Sequence, residues 1–455
     1  MRTYNDLVEE REKDLTGFIQ RCINEHQSSE LYLMAVVANE YARQQNTTIM
    51  QYQKLLYTMS GKVVPDNYSA NYKLCSNFFD RFITQQVQYL LGNGVSWNDI
   101  GTGEKLGSDF DEKLQRAGKE SLIGSVSFGF WNFDHVEVFN VREFVPLYDE
   151  ENGALRAGIR FWQIDPKKPL RVTLYEEDGY TEFRKEGSVW EVLQEKRPYV
   201  VTYQGTDADG LEIFDGRNYP SFPIVPLFGN SYKQSELVGL QEEIDAYDLI
   251  KSGFANDLDD ASQIYWIIQN AGGMDDVDLA KFVDRIKTVH AATVEDDGAQ
   301  AEAHTLEVPY NARESLLERL RKDLYEDYMA LDVANIAGGA ATATQIKAAY
   351  EPMNNKADEF EFQVRKFVDS ILELAGIDDQ YSFTRSTIIN STEEISTVLS
   401  AAQYLTEDYV TTKILTILGD GDKAEDMLKQ MDADELDRGG VIGSENEEVE
   451  ENDNV

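Results

Sequence analysis

Four histidines, two cysteines and a large surplus of carboxylates are the side chains with which this sequence could do chemistry. His26, His135, His290 and His304 include no His-x-x-x-His pair on a helix. His290 and His304 could face each other across a predicted hairpin, where a metal pair competes with the plainer reading of exposed hairpin residues, and the plainer reading is preferred. Cys22 and His26 lie one helical turn apart, a spacing that permits a thiolate–imidazole contact. No third group is in evidence to orient the pair, so both read as core residues. Carboxylate neighbours such as Asp259/Asp260 or Glu242/Glu243 have the composition of a glycosidase acid and base. With 83 acidic residues such pairs arise by chance, and solvated helix faces explain them better. A nucleotide-driven motor needs a glycine-rich loop ending in Gly-Lys-Ser/Thr. Gly61-Lys62 and Gly118-Lys119 are followed by Val63 and Glu120, so that loop is absent. The glycines Gly101, Gly103 and Gly107 have the wrong spacing and context for a dinucleotide fingerprint, and Asp207-Ala208-Asp209-Gly210 is too short for a calcium loop. No cofactor and no catalytic or metal residue is expected.

The bulk properties point away from several classes. A chain of 455 residues is long enough for about three domains. Its net charge, 42 − 83 = −41, argues against a sequence-reading DNA binder or a binder of anionic membranes, both of which need a basic footprint. It leaves open a protein that handles DNA without gripping it. With 42% hydrophobic and 11% aromatic residues the chain should fold. Two cysteines suit a reducing compartment, the charged start MRTYNDLVEEREKDL lacks the apolar stretch of a secretory signal, and no apolar run approaches the roughly 18 residues of a membrane span. A soluble protein without membrane contact is the expectation.

The elements that would position any function are legible by period. From Tyr4 to about Leu91 the pattern is mostly helical; Val95–Trp97 reads as a short strand, and from Leu122 to Gln204 the period changes to two, a β-rich meander. Pro220, Pro223 and Pro226 suggest an extended linker. A long helix is predicted from Glu236 to Asp260, 25 residues or about 37 Å, with eight acids against one base, Lys251. Gly239, Ala246 and Gly253 fall at seven-residue steps along it; each glycine costs a helix about 1 kcal/mol, which close approach of a neighbouring helix would explain. A small β-α-β-β unit follows: strand Gln263–Ile268, helix Asp275–Lys287, and a hairpin of Val289–Val294 with Ala303–Val308. A second long helix runs from Asn311 to about Val333. The small-residue stretch Asn335–Gln345 interrupts the helical pattern. A third long helix, about Thr344 to Ala375, places Ile346, Tyr350, Met353, Ala357, Phe360, Val364, Phe367, Ile371 and Leu374 on one stripe; Pro352 should kink it and Gly376 close it. Short helices Glu393–Tyr404, Glu407–Leu418 and Ala424–Met431 precede an acidic tail that should be disordered. The fold class is α+β, mainly helical.

This order of elements resembles the portal proteins of tailed bacteriophages, in particular those of long-tailed phages of Gram-positive hosts. The stretches that carry the likeness are YLLGNGVSW (Tyr89–Trp97), SELVGLQEEIDAYDLIKSGFANDLDD (Ser235–Asp260), ATATQIKAAYEPMNNKADEFE (Ala341–Glu361) and LTEDYVTTKILTILGDGDKAEDML (Leu405–Leu428). The resemblance implies a non-enzymatic ring, usually of twelve subunits, at one vertex of the capsid. Such a ring nucleates the procapsid, docks the terminase large subunit, passes double-stranded DNA during packaging and ejection, and holds the head-completion or tail connector. Scaffolding and major capsid proteins are further implied partners, and the implied location is the virion, after assembly in the host cytoplasm. Carried over by segment, residues 1–234 correspond to the wing, 235–260 and 309–334 to the stem helices, 261–308 to the clip, 335–345 to the tunnel loop, 346–376 to the kinked wing helix, 377–436 to the crown and 437–455 to the acidic tail. The implied sites are Asn335, Gly338, Gly339, Ala340, Ala341, Thr342 and Thr344 in the tunnel loop, and Glu242, Asp245 and Asp259 lining the channel. Gly239, Ala246 and Gly253 would serve stem packing, and Asp275, Asp276 and Asp278 partner contacts of the clip. A polysaccharide-active enzyme using its paired carboxylates, or a monomeric acidic adaptor, are the alternatives.

Overall fold

A computed structural model describes residues 2–57, 61–66, 71–99, 101–206, 212–261, 265–269, 300–304, 310–334, 343–386, 391–418, 424 and 427–429. The chain divides into two compact units, one of residues 1–332 with 351–385, the other of 333–350 with 386–455.

The first unit begins with α1 (Tyr4–Gln27), whose start is closed by a reciprocal capping box between Thr3 and Asp6. Asp14 leaves the helical conformation inside α1, and its Oδ1 accepts from the Gly17 amide at 2.9 Å, so it caps the second half of its own helix. Then come α2 (Glu30–Ala42), α3 (Thr47–Gln51), the ribbon β1 (Leu55–Tyr57) and β2 (Val63–Pro65), α4 (Phe78–Leu91), β3 (Val95–Trp97), α5 (Gly101–Leu106) and α6 (Phe110–Gly124). Gly101 and Gly103 thus lie in a short helix, and Gly107 follows its end at φ +97°.

The period-two region is antiparallel throughout. A three-stranded sheet has the order β13 (Ile224–Phe228), β4 (Val126–Asn132), β5 (His135–Asn140). A five-stranded meander runs through β6 (Phe144–Tyr148), β7 (Leu155–Trp162), β8 (Leu170–Glu176), β9 (Gly179–Glu186) and β10 (Val189–Arg197), and β11 (Val200–Thr206) pairs with β12 (Glu212–Arg217). The proline-rich stretch is therefore only partly a linker: Pro226 lies within β13, opposite Phe128. Because β13 is an edge strand, a residue without an N–H is tolerated there.

α7 (Gln241–Ala261) has 21 residues and starts later than its sequence suggests. Residues 236–240 are turn, and Gly239 sits at φ +92°, a left-handed conformation that glycine adopts without strain. Next, β14 (Tyr265–Gln269) pairs antiparallel with β15 (Gln300–His304), Tyr265 opposite His304. The second strand begins at Gln300 rather than Ala303; helix 275–287, strand 289–294 and His290 lie outside the described residues. α8 (Tyr310–Tyr328) ends before Val333 because Met329 turns left-handed at φ +63° and the Ala330 amide reaches back to the Tyr325 carbonyl at 2.9 Å.

α9 (Ala343–Ala375) continues through Pro352, and the division between the units falls just before it, after Tyr350. Its stripe from Tyr350 to Leu374 is buried at every predicted position. Phe367 comes so close to β4 that a Cβ on Gly129 would lie 2.4 Å from its ring, so only glycine fits there. The helix closes as expected: Gly376 is left-handed, and the Ile377 amide bonds the Leu372 carbonyl at 2.9 Å. β16 (Tyr381–Phe383) then pairs with β3, so residues 377–385 belong to the first unit rather than with the helical C-terminus. The second unit carries α10 (Ser391–Ala401) and α11 (Glu407–Leu418). The acidic tail lies outside the described residues.

Candidate functional site: the flanks of a long acidic helix

At 3.6 residues per turn, α7 presents four sides, and its environment differs on each. Ile244 is buried in the main core. One flank carries Asp248, Ser252 and Asn256 at successive turns. The Asp248 carboxylate accepts from the Ser76 amide at 2.8 Å and from the Asn46 side chain; Ser252 Oγ accepts from the Leu74 amide at 2.9 Å; Asn256 Oδ1 accepts from the Tyr72 amide at 2.7 Å. An extended strap, residues 72–76, therefore runs antiparallel along the helix. The match is metric: two extended residues advance about 6.6 Å and four helical residues about 6.0 Å. Alternate strap amides thus find an acceptor at each helical turn. Asp248 is fully buried, and burial raises its pKa even against these donors. Asp245, one turn earlier, accepts from the Tyr41 hydroxyl and from Thr48 Oγ1 at 2.7 Å. Burial, and then this carboxylate, push the Tyr41 phenol up to about 12.

The opposite flank meets α8 in antiparallel fashion. Arg313 pairs with Asp257 at 2.5 Å, and the Phe254 and Tyr310 rings meet edge to face at 5.8 Å. At the other end Glu243 lies against Asp327, with Asp323 nearby; burial and then these carboxylates raise the Glu243 pKa. The fourth side is open: Glu242, Ala246, Leu249 and Gly253 follow one another along it, with Glu242 and Leu249 exposed. A Cβ built on Gly253 would meet nothing within 4 Å.

The ends of the helix pair are held by residues that the sequence pattern did not single out. Lys356 of α9 pairs with Glu236 at 2.6 Å, both largely buried, and its ammonium lies 3.9 Å from the centre of the Tyr328 ring. Gln85 of α4 clamps Leu331 from both sides, donating to its carbonyl at 3.0 Å and accepting from its amide at 3.1 Å. Tyr328 donates to Gln86 at 2.6 Å and stacks on Phe82.

The sequence-derived sites fare unequally. Glu242 is exposed near the start of α7 and Asp259 near its end. Asp245 is corrected: its carboxylate is taken up by α2 and α3. Gly239 is corrected too, since it sits in the turn before the helix and is not part of a helical stripe with Ala246 and Gly253. Of the tunnel-loop set only Thr344 is described, exposed in the first turn of α9. Asn335, Gly338, Gly339, Ala340, Ala341 and Thr342, and the clip residues Asp275, Asp276 and Asp278, lie outside the described residues.

Cys22 and His26 are not arranged as a nucleophile and base. Cys22 is buried, and burial pushes its thiol up to about 12. His26 is buried with a lowered pKa, its Nε2 bonded to the Val141 carbonyl at 2.7 Å. A protonated thiol beside a neutral, occupied imidazole is packing, not a nucleophile and base. Among the described residues no group of three or more His, Cys, Asp or Glu could hold a metal ion, and no helix is long and apolar enough to cross a membrane.

The family described as "Phage portal protein, SPP1 Gp6-like" matches residues 32–436. The chain belongs to this family of phage portal proteins. It is 27% identical over 406 residues to the portal protein of Clostridium phage phiCD119, covering 80% of this chain and 87% of that one. To the portal protein of Bacillus phage SPP1 it is 23% identical over 435 residues, 87% and 82% of the two chains. Both relatives come from phages of Gram-positive hosts. Among solved structures, the neck of an empty gene transfer agent particle computed with C6 symmetry is similar at 10% identity and TM-score 0.43, covering 75% of this chain and 90% of that one. Portal function follows from the family, and the enzyme and adaptor alternatives are not favoured.

Proposed function

We propose that copies of this portal protein close into a ring of about twelve with their α7–α8 pairs side by side around a channel, and that the open side of α7 faces duplex DNA. The observation that carries this reading is the open strip itself: an exposed acid, Glu242, on a side of α7 whose other members, Ala246, Leu249 and Gly253, bring no cation to it. Duplex DNA carries one charge per about 1.7 Å, and each phosphate gripped by a lysine or arginine releases counterions and deepens binding, so a basic bore would hold the polymer that it must pass. An acidic strip lets it slide. Twelve copies sum to roughly 12 × −41, or about −490 charges, of which salt screens all but the nearest beyond about 8 Å. The segment 261–308, carried at the far end of α7 and α8, is the natural dock for the terminase and later the connector, with Asp275, Asp276 and Asp278 as contacts. The work of packaging falls to that separate motor, because this sequence has no phosphate-binding loop. Rings of Glu242→Lys should assemble but package DNA more slowly, most of all at low salt. Packaging at the parental rate at every ionic strength would rule out the repulsive bore.

A further inference from the structure

The region between α2 and α4 departs from the rest of the chain in two independent ways. Residues 43–77 carry Arg43, Lys54, Lys62 and Lys73 against the single acid Asp66, a net +3, which leaves −41 − 3 = −44 for the remainder. The same region exposes apolar side chains: Met50, Leu55, Val63, Val64 and the rings of Tyr52 and Tyr72 are 37 to 54% exposed. β1 and β2 form a two-stranded sheet of their own, and an isolated ribbon of this kind is marginal in water without a covering partner. The arm is nevertheless anchored: its strap is tied to α7 at Asp248, Ser252 and Asn256, and the Lys73 ammonium donates to the Met50 carbonyl.

We infer that this basic, apolar arm docks on the outer face of α8 in the next copy of the chain. The inference rests on the ring reading above, and two features of the helix pair select the receiving face. First, the strap and α8 occupy opposite flanks of α7, so copies arranged with their α7 helices side by side bring the arm flank of one toward the α8 flank of the next. Second, cyclic symmetry keeps equivalent residues at one height along the axis. The strap lies level with residues 248–256 of α7. The Asp257–Arg313 and Phe254–Tyr310 contacts place the first half of α8 at that same level. There α8 exposes Tyr310, Glu314 and Glu318 at successive turns of one side, acids and a ring to receive a surface bearing Lys54 and Lys62 beside Leu55, Val63 and Val64.

The test uses the full-length assembled ring built from mixed light and heavy isotope-labelled chains. A zero-length carbodiimide, which joins lysine to carboxylate only in direct contact, is applied and the linked peptides are read by mass spectrometry. Links from Lys54 or Lys62 to Glu314 or Glu318 that mix light and heavy isotopes are expected. The paired variant Lys54→Glu/Lys62→Glu should require a roughly tenfold higher chain concentration for half-assembly, with the deficit shrinking as salt is raised. An intact ring in which these lysines link only within one chain overturns the docking while leaving the ring reading standing. Chains that form no ring at all overturn that reading instead. Lysines that link to nothing in the ring but become protected when duplex DNA is added overturn the docking in favour of a nucleic-acid contact.

Discussion

The two flanks of α7 handle acidic residues in opposite ways. On the strap flank, Asp248 is fully buried yet surrounded by donors, and its neighbours Ser252 and Asn256 repeat the same service to the backbone of residues 72–76. On the α8 flank, Glu243 is partly buried against another carboxylate, Asp327, with Asp323 close by. The first flank is a fastening: removing an acceptor strands a buried amide. The second is a built-in repulsion that the Arg313–Asp257 pair and the clamp at Gln85 must offset. A helix can thus be held rigidly to its own subunit on one side while its pairing with α8 stays responsive to protonation on the other.

The contrast is broken most directly at Asp248. Asp248→Ala leaves the Ser76 amide and the Asn46 side chain without their acceptor in a buried site, and a loss of about 3 kcal/mol is expected in chemical denaturation. A change below about 1 kcal/mol would mean that the strap is held by other means. One turn along, Ser252→Ala strands a single, partly buried amide, that of Leu74, and should cost about 1 kcal/mol. Equal losses at the two positions would contradict the ranking by burial. The smallest effect belongs to the other flank. A carboxyl whose pKa is raised on folding binds its proton more readily in the native chain, so its contribution to stability falls as pH rises from the unfolded value through the folded one. Glu243→Gln should therefore raise stability at pH 7 by less than about 1 kcal/mol, because water still screens the site, and should flatten the decline between mildly acidic and neutral pH. A variant less stable than the parent at pH 7 would show that Glu243 is a favourable partner there.

Which parts of this were legible in the sequence follows from the range of the interactions. The stripe of α9 was readable because one helix buries one continuous face, and Gly376 because a left-handed closing residue leaves a local signature. The strap was not. Ser76 meets Asp248 across 172 residues and Tyr72 meets Asn256 across 184, and both helix residues look in sequence like part of a solvated acidic face. The same blindness misassigned Asp245, whose partner Tyr41 lies 204 positions away. Gly239 was misplaced for a different reason: the apolar spacing of Leu237, Leu240 and Ile244 continues in phase across a turn, so periodicity ran on where the backbone did not. Pro226 reads as linker because sequence alone does not distinguish an edge strand, where proline is tolerated, from a central one.

The central claim, that this chain builds a portal ring, is tested most directly by native mass spectrometry of the purified full-length protein at micromolar concentration. The account predicts a closed assembly of about twelve chains with no stable smaller species. A chain that stays monomeric under those conditions would contradict it.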